Sequence, residues 1–249
     1  MIETTVRGTT LSEAYHNSLW GLKMYGEKTA CPDYNTTQKE LSMTMVVQKP
    51  LAEPMISKLF IGGPRELEQY RQEILDGILD FEVEKGNWAY TYHQRIADQI
   101  PFIVKELKRN PYSRRAVINA RDNKADMASE DPACLQHIQY FIRDDKLHCK
   151  VLFRSNDACK AAFMNAFALI MLQKRIADEL GVPVGTYTHR ANSFHCYERD
   201  FPMLDGYVRR ICAEPLDELT YNYRGEWEEL MEDAKYDIAE MVRRLKEQK

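Results

Sequence analysis

Nowhere does this 249-residue chain hold the run of ~20 apolar residues that a membrane-spanning helix needs, and its opening, MIETTVRGTTLSEAY, lacks the cationic start and apolar core of a signal peptide. A cytoplasmic protein is expected. Charge of one sign is lacking too: 34 basic against 38 acidic residues leave a formal net charge of -4, so nothing argues for a stable nucleic-acid partner. The cysteines, at 31, 134, 149, 159, 196 and 212, form no CxxC pair and no Cys/His ligand rhythm. That argues against a metal site and against a disulfide framework, and leaves reduced thiols, most of them buried. With no internal repeat and no low-complexity segment, a single domain over 1–249 is expected.

Hydrophobic periodicity supplies the elements. Leu11, Ala14, Tyr15, Leu19 and Leu22 fall at helical spacing, and CPDYNTTQKE (31–40) reads as a loop. ELSMTMVVQKP reads as a strand ended by Pro50, and GGP at 62–64 opens a helix through RELEQYRQEIL. A further helix spans roughly 94–108, before the turn NPYS. From 115 the β content rises through RAVINAR, LQHIQYFIRD and KLHCKVLFRS, with Asp144 and Asp145 as a tight turn between the last two. NDACKAAFMNAFALIMLQKRIADEL reads as a long, largely buried helix stopped by GVP, and TYTHRANSFHCYE as a strand. The acidic tail, 214–249, carries at least one helix. Strands and helices mixed without strict alternation give an α+β class around one main sheet.

The chemistry-bearing residues are ordinary one by one. Cys134, in EDPACLQ, fits a small buried hydrophobe as well as a nucleophile. Arg114 and Arg115 could be a solvated pair, and His195 and Tyr197 share one face of a strand. Asn165, inside an apolar helix, needs hydrogen-bond partners, of which a bound ligand is one kind. In order, however, SRR, PAC with Gln139 five residues after its cysteine, RSND, Asn165 and HxY resemble the thymidylate synthase superfamily, from about Pro111 to Phe201. QYFIRDDKL and RSND look most like the deoxycytidylate hydroxymethylase branch, and GTYTH with FHCYERDF looks like other nucleotide-hydroxymethylase relatives.

The resemblance implies a thymidylate synthase-like fold, one mixed sheet flanked by helices with a sheet face forming a two-fold homodimer. It implies a pyrimidine nucleoside 5'-monophosphate as substrate and 5,10-methylenetetrahydrofolate as cosubstrate, with no metal. Cys134 would add to C6 of the ring and activate C5, and Arg154 would bind phosphate and assist the thiolate. Arg114 and Arg115 would reach the phosphate from the partner subunit, with Ser155 and Gln139 also on the nucleotide. Asn165 would hold the base; the cytidylate branch has aspartate there, so asparagine points to uridylate. His195 and Tyr197 would hold the sugar, and Glu66, in RELEQY, would organise water and shuttle protons. Tyr90, with Tyr92 close behind, would help deprotonate C5, and Asp157 would contact the pterin.

Departures bear on the product. The region matching the family's N-terminal arginine loop is CPDYNTTQKE, with Arg7 and Lys39 the available substitutes, and a family glycine is Ala161. Leu79 stands where a tryptophan shields the folate, and EMVRRLKEQK replaces a short apolar tail. Hydride transfer from folate needs a closed, dry site. A 5-hydroxymethyl product, from water, therefore ranks above the 5-methyl product of thymidylate synthase. A non-catalytic nucleotide-binding relative is the third reading, opposed by the retained Cys134.

Overall fold

The structure, a computed structural model, describes residues 1–248. The first part of the chain forms β1 (Glu3–Gly8), α1 (Leu11–Tyr25), β2 (Glu27–Cys31), β3 (Thr36–Val47), β4 (Ile56–Ser57) and α2 (Pro64–Asp76). Helices dominate the middle: α3 (Phe81–Glu84), α4 (Tyr92–Ile96) and α5 (Ile100–Arg109), then β5 (Val117–Asn119) and α6 (Asn123–Ala128). The remainder holds β6 (Leu135–Arg143), β7 (Lys146–Asp157), α7 (Ala162–Leu180), β8 (Val184–Tyr197), α8 (Phe201–Ala213), β9 (Thr220–Tyr221) and α9 (Glu228–Glu247).

Seven strands form one mixed sheet in the order β1-β3-β8-β7-β6-β5, with β2 also paired to β3. The β1/β3 and β7/β8 pairs are parallel and the others antiparallel, so the α+β expectation holds. Strand alternation sorts the two faces. On β7, Leu147, Cys149, Val151 and Phe153 are buried, while His148, Lys150, Leu152 and Arg154 point the other way and stay partly open. The buried face meets α7, whose Phe163 and Phe167 join Tyr15, Tyr140, Tyr187 and Phe194 among the largest fully buried side chains. The opposite face carries Phe141, Leu152, Thr188 and Arg190, all of which stay partly open.

Several boundaries differ from the sequence reading. CPDYNTTQKE is no loop: β2 ends at Cys31, Asn35 turns the chain with φ 48°, and TTQKE opens the long strand β3. Residues 36–40 are all half-buried and include two β-branched threonines, which suits β structure although no hydrophobic run announces it. NDAC belongs to the end of β7 and the following turn, because the Asp157 carboxylate accepts from the N–H groups of Cys159 and Lys160, both at 3.0 Å, before α7 starts. The helix expected near 94–108 is broken into α4 and α5 just before Pro101, which lacks the N–H a continuous helix would use. RAVINAR yields only three strand residues, TYTHRANSFHCYE extends back to Val184, and β1, α6 and α8 were not foreseen. The Asp144–Asp145 hairpin turn is as expected, both residues having positive φ (49° and 55°), the two-residue geometry that matches strand twist.

Topology decides where chemistry can gather. Since β7 and β8 run parallel and β6 antiparallel to β7, the start of β6 and the ends of β7 and β8 lie at the same end of the sheet. The register pairs Leu135 with Phe153, Ser155 with Ser193 and Asp157 with His195. Among the described residues no helix is long and apolar enough to cross a membrane, and no cluster of His, Cys, Asp or Glu could hold a metal ion.

Candidate active site

Cys134 lies on the loop entering β6, half-buried, where a bulge between Leu135 and His137 breaks the ladder to β7. Arg154, on the next strand, grips this loop. Its backbone N–H donates to the Cys134 carbonyl (2.8 Å), and its guanidinium donates to the carbonyls of Pro132 (2.6 Å) and Ala133 (3.2 Å). The guanidinium was expected to favour the thiolate. Burial outweighs it, so the Cys134 thiol is raised above its usual value, with Arg154 pulling it down and the nearby Asp131 pushing it further up. Removing the charge while keeping a hydrogen-bond donor, as in Arg154→Gln, should therefore move the pH profile of Cys134 alkylation upward. Iodoacetamide labelling read by mass spectrometry should slow several-fold at neutral pH, and an unchanged profile would show that the arginine does not act on the sulfur.

Two tyrosines stand beside this loop. Tyr92 accepts a hydrogen bond at its hydroxyl from the N–H of Leu135 (3.2 Å), the residue next to Cys134, whereas Tyr90 packs on Tyr92 with ring centroids 5.7 Å apart and lies under Arg95. Burial raises both phenols, so both are neutral at ordinary pH. Of the pair, Tyr92 is anchored to the Cys134 loop by a hydrogen bond.

Tyr90 and Tyr92 line a cleft of about 470 Å³ with Tyr70, Glu73, Leu79, Trp88 and Asp131. Leu79 is buried at the cleft wall, and an indole, that of Trp88, 43% exposed, is part of the same lining. Glu66 is elsewhere. It occupies the first turn of α2, where its carboxylate accepts from the Gly63 N–H (2.9 Å) and caps the helix, and it does not line the cleft. Two carboxylates do, Asp131 and Glu73, and Glu73 lies two turns further along the same helix face. Its pKa is raised by burial, partly offset by a hydrogen bond from Gln69 (2.9 Å). The i, i+4, i+7 series Glu66, Tyr70, Glu73 was the available signal, and it gives a face without saying which end meets a cavity.

Asn165 projects from the first turn of α7 and is 7% exposed. Its Oδ1 accepts from Asn156 Nδ2 (2.9 Å) and its own Nδ2 donates to the Tyr70 hydroxyl. Behind Asn156 stand His189, with Nε2 2.8 Å from Asn156 Oδ1, and the Tyr187 hydroxyl, 3.0 Å from His189 Nδ1. His195 is buried against Tyr197 (ring centroids 4.8 Å), with Nδ1 3.3 Å from Ser155 Oγ. Burial holds its imidazole below the usual histidine value, against an upward pull from Asp157.

Other expected residues are apart from this group. Arg114 and Arg115 are exposed beside β5, and Gln139 donates to the Arg114 carbonyl (3.1 Å) five residues up β6 from Cys134, roughly 16 Å at ordinary strand rise. Arg7 is exposed on β1, Lys39 Nζ donates to the Lys23 carbonyl (2.9 Å), and Ala161 precedes α7. Tyr70, Glu73, Trp88, Asn156, Tyr187 and His189 were missed by sequence reasoning.

The geometry can be set beside known proteins. Residues 67–242 match the family model described as "Thymidylate synthase". A protein of Methanocaldococcus jannaschii named "Putative thymidylate synthase" is 35% identical over 70% of this chain and 83% of its own. One of the same name from Methanosarcina barkeri is 27% identical over 83% of this chain and 95% of its own. Among solved structures, thermostable thymidylate synthase A from Bacillus subtilis superposes with a TM-score of 0.66 at 18% identity, covering 81% of this chain and 84% of that one.

Proposed function

The chain belongs to the thymidylate synthase family and is a one-carbon transferase, and from that premise we propose that it attaches a hydroxymethyl group to C5 of a uridine nucleoside 5'-monophosphate. The observation carrying the reading is the meeting of Cys134, its Arg154 clamp and the Tyr92 hydroxyl beside the cleft. The Cys134 sulfur adds to C6, which turns C5 into an enolate-like carbon, and charge developing at O4 is met by the fixed amide dipole of Asn165. Arg154, with Ser155, holds phosphate, and His195 and Tyr197 hold the sugar. Arg114 and Arg115 come from a second copy, whose contact is made through the open sheet face.

The family's cosubstrate is methylenetetrahydrofolate, whose methylene carbon would bond to C5; loss of the C5 proton and departure of tetrahydrofolate then leave the methylene on C5. The apolar wall of Leu79 and the flat rings of Trp88 and Tyr90 suit a pterin ring, which Asp157 would contact as the family resemblance implies. Tyr92 sits to help remove the C5 proton. Glu73, rather than Glu66, is the carboxylate placed to organise water, which then adds to the exocyclic methylene on C5 as Cys134 leaves C6. Water access supports the hydroxymethyl product: the final turns of α9 are held by Lys85, whose Nζ donates to the carbonyls of Leu245 (2.6 Å) and Lys246 (3.1 Å), and no described residue of α9 lines the cleft.

A second reading, a 5-methyl product, is favoured by Trp88, an indole able to shield the cleft. Mass spectrometry of products from the four uridine and cytidine monophosphates, ribo and deoxy, with the folate donor separates the two. The expected gain is CH2O on a uridylate; a gain of CH2 with dihydrofolate formed would establish the synthase reaction instead.

A further inference from the structure

An asparagine can read either pyrimidine edge, because turning its carboxamide over exchanges donor and acceptor. Uracil offers a 4-keto acceptor and an N3–H donor; cytosine offers a 4-amino donor and an N3 acceptor. Selection through Asn165 therefore needs something that fixes which way its amide faces.

The structure supplies it in a buried chain of hydrogen bonds running Tyr187, His189, Asn156, Asn165, Tyr70. Asn156 Nδ2 donates to Asn165 Oδ1, so Asn156 Oδ1 faces His189 and requires a proton on Nε2. His189 Nδ1 is then the acceptor for the Tyr187 hydroxyl. Every interior member donates at one end and accepts at the other, so the polarity is a property of the whole chain. Turning Asn165 alone sets its N–H against the N–H of Asn156, two buried donors facing each other. Reversal without that conflict needs both amides turned and the imidazole proton moved from Nε2 to Nδ1 together. The surroundings resist such rearrangement: Tyr187, His189 and Asn156 are 0%, 1% and 4% exposed, and the His189 ring is stacked on Phe153 at 4.7 Å and 16°. Burial also lowers the His189 pKa to about 3, so the ring is neutral near pH 7 and keeps a single N–H.

Resting on the uridylate reading above, we propose that Asn156, His189 and Tyr187 are positioning residues for base choice. Their chain locks the Asn165 carboxamide in one orientation, which presents a free N–H to O4 and a free carbonyl lone pair to N3–H. The locked amide matches uracil and opposes cytosine.

The test compares kcat/KM for C5 tritium release from labelled uridylate and cytidylate, in the presence of methylenetetrahydrofolate, together with the binary dissociation constants by calorimetry. Asn156→Asp offers only acceptors, so it turns Asn165 over. The uridylate-to-cytidylate ratio should fall at least about tenfold in both measurements, by exposing the opposite edge. Tyr187→Phe keeps the ring and its packing but frees the imidazole proton to sit on either nitrogen; it should lower the ratio several-fold while uridylate activity stays within about tenfold of wild type. If Asn156→Asp fails to fold, Tyr187→Phe decides alone. A folded Tyr187→Phe with the wild-type ratio overturns the lock, and so does a wild-type enzyme that prefers cytidylate, while either leaves the one-carbon transfer standing. Tritium release from none of the four nucleotides removes the proposed activity itself, and the lock with it.

Discussion

Replacing Cys134 by alanine should abolish product formation and C5 tritium release, lowering kcat by at least about 10⁴-fold, as loss of a covalent nucleophile does. The fold should survive. The side chain is half-buried and small, so a thermal shift corresponding to less than about 1 kcal/mol is expected, and nucleotide binding should change little. The same variant tests the sharing of sites between copies. Arg115→Ala should be impaired by itself although in its own chain Arg115 is exposed beside the edge strand, away from the Cys134 loop, because the proposed site it serves is that of the other copy. Mixed in equal amounts and allowed to exchange subunits, the two variants should recover about one quarter of wild-type activity, since half the dimers are mixed and each of those holds one intact site of two. Activity that stays at the sum of the parents would mean that the arginine is not donated across an interface. Residual product from Cys134→Ala near wild-type level would end the covalent mechanism.

Glu73→Gln should lower kcat by about 10² to 10⁴-fold, the range of a lost general acid or base, whereas Glu66→Ala should leave kcat within about twofold. The second change removes a helix cap and should instead cost up to ~1 kcal/mol of stability. The pH dependence gives a sign to check. Burial raises the Glu73 pKa, so the folded protein keeps this proton when the unfolded chain has released it. Wild-type stability thus falls as pH rises from the ordinary glutamate value through the raised one. Glutamine carries no such penalty. Thermal melts across pH should show Glu73→Gln gaining on wild type as pH increases, at the same time as it loses activity. If Glu66→Ala loses the activity and Glu73→Gln keeps it, the cleft carboxylate has been misidentified.

What could be read in the sequence was what neighbours in the chain decide. Alternation in LQHIQYFIRD and KLHCKVLFRS, with two aspartates between, specified the β6–β7 hairpin, because strand period and turn chemistry are local. That hairpin brings Arg154 against the Cys134 loop, so the nearness of this thiol and this arginine was already latent in the spacing. Helix α1 and the end of α7 at Gly181 were legible for the same reason. TTQKE was not, since a half-buried polar strand carries no hydrophobic signature until its partners are known.

Contacts between distant segments were decided only by the tertiary structure. The face of α2 repeats acidic residues at 66 and 73, and only packing of its C-terminal turns against the 79–92 segment turns Glu73 into a cleft residue and leaves Glu66 as a cap. The Asn165 carboxamide owes its orientation to residues 70, 156, 187 and 189, joined through a parallel strand register and a helix crossing that no short-range pattern encodes. Residue types alone fixed what reactions the chain could attempt, since nucleophilicity and charge are properties of side chains. Burial, register and hydrogen-bond polarity exist only between side chains that folding brings together, and they settle which carboxylate has its pKa raised and which way an amide faces.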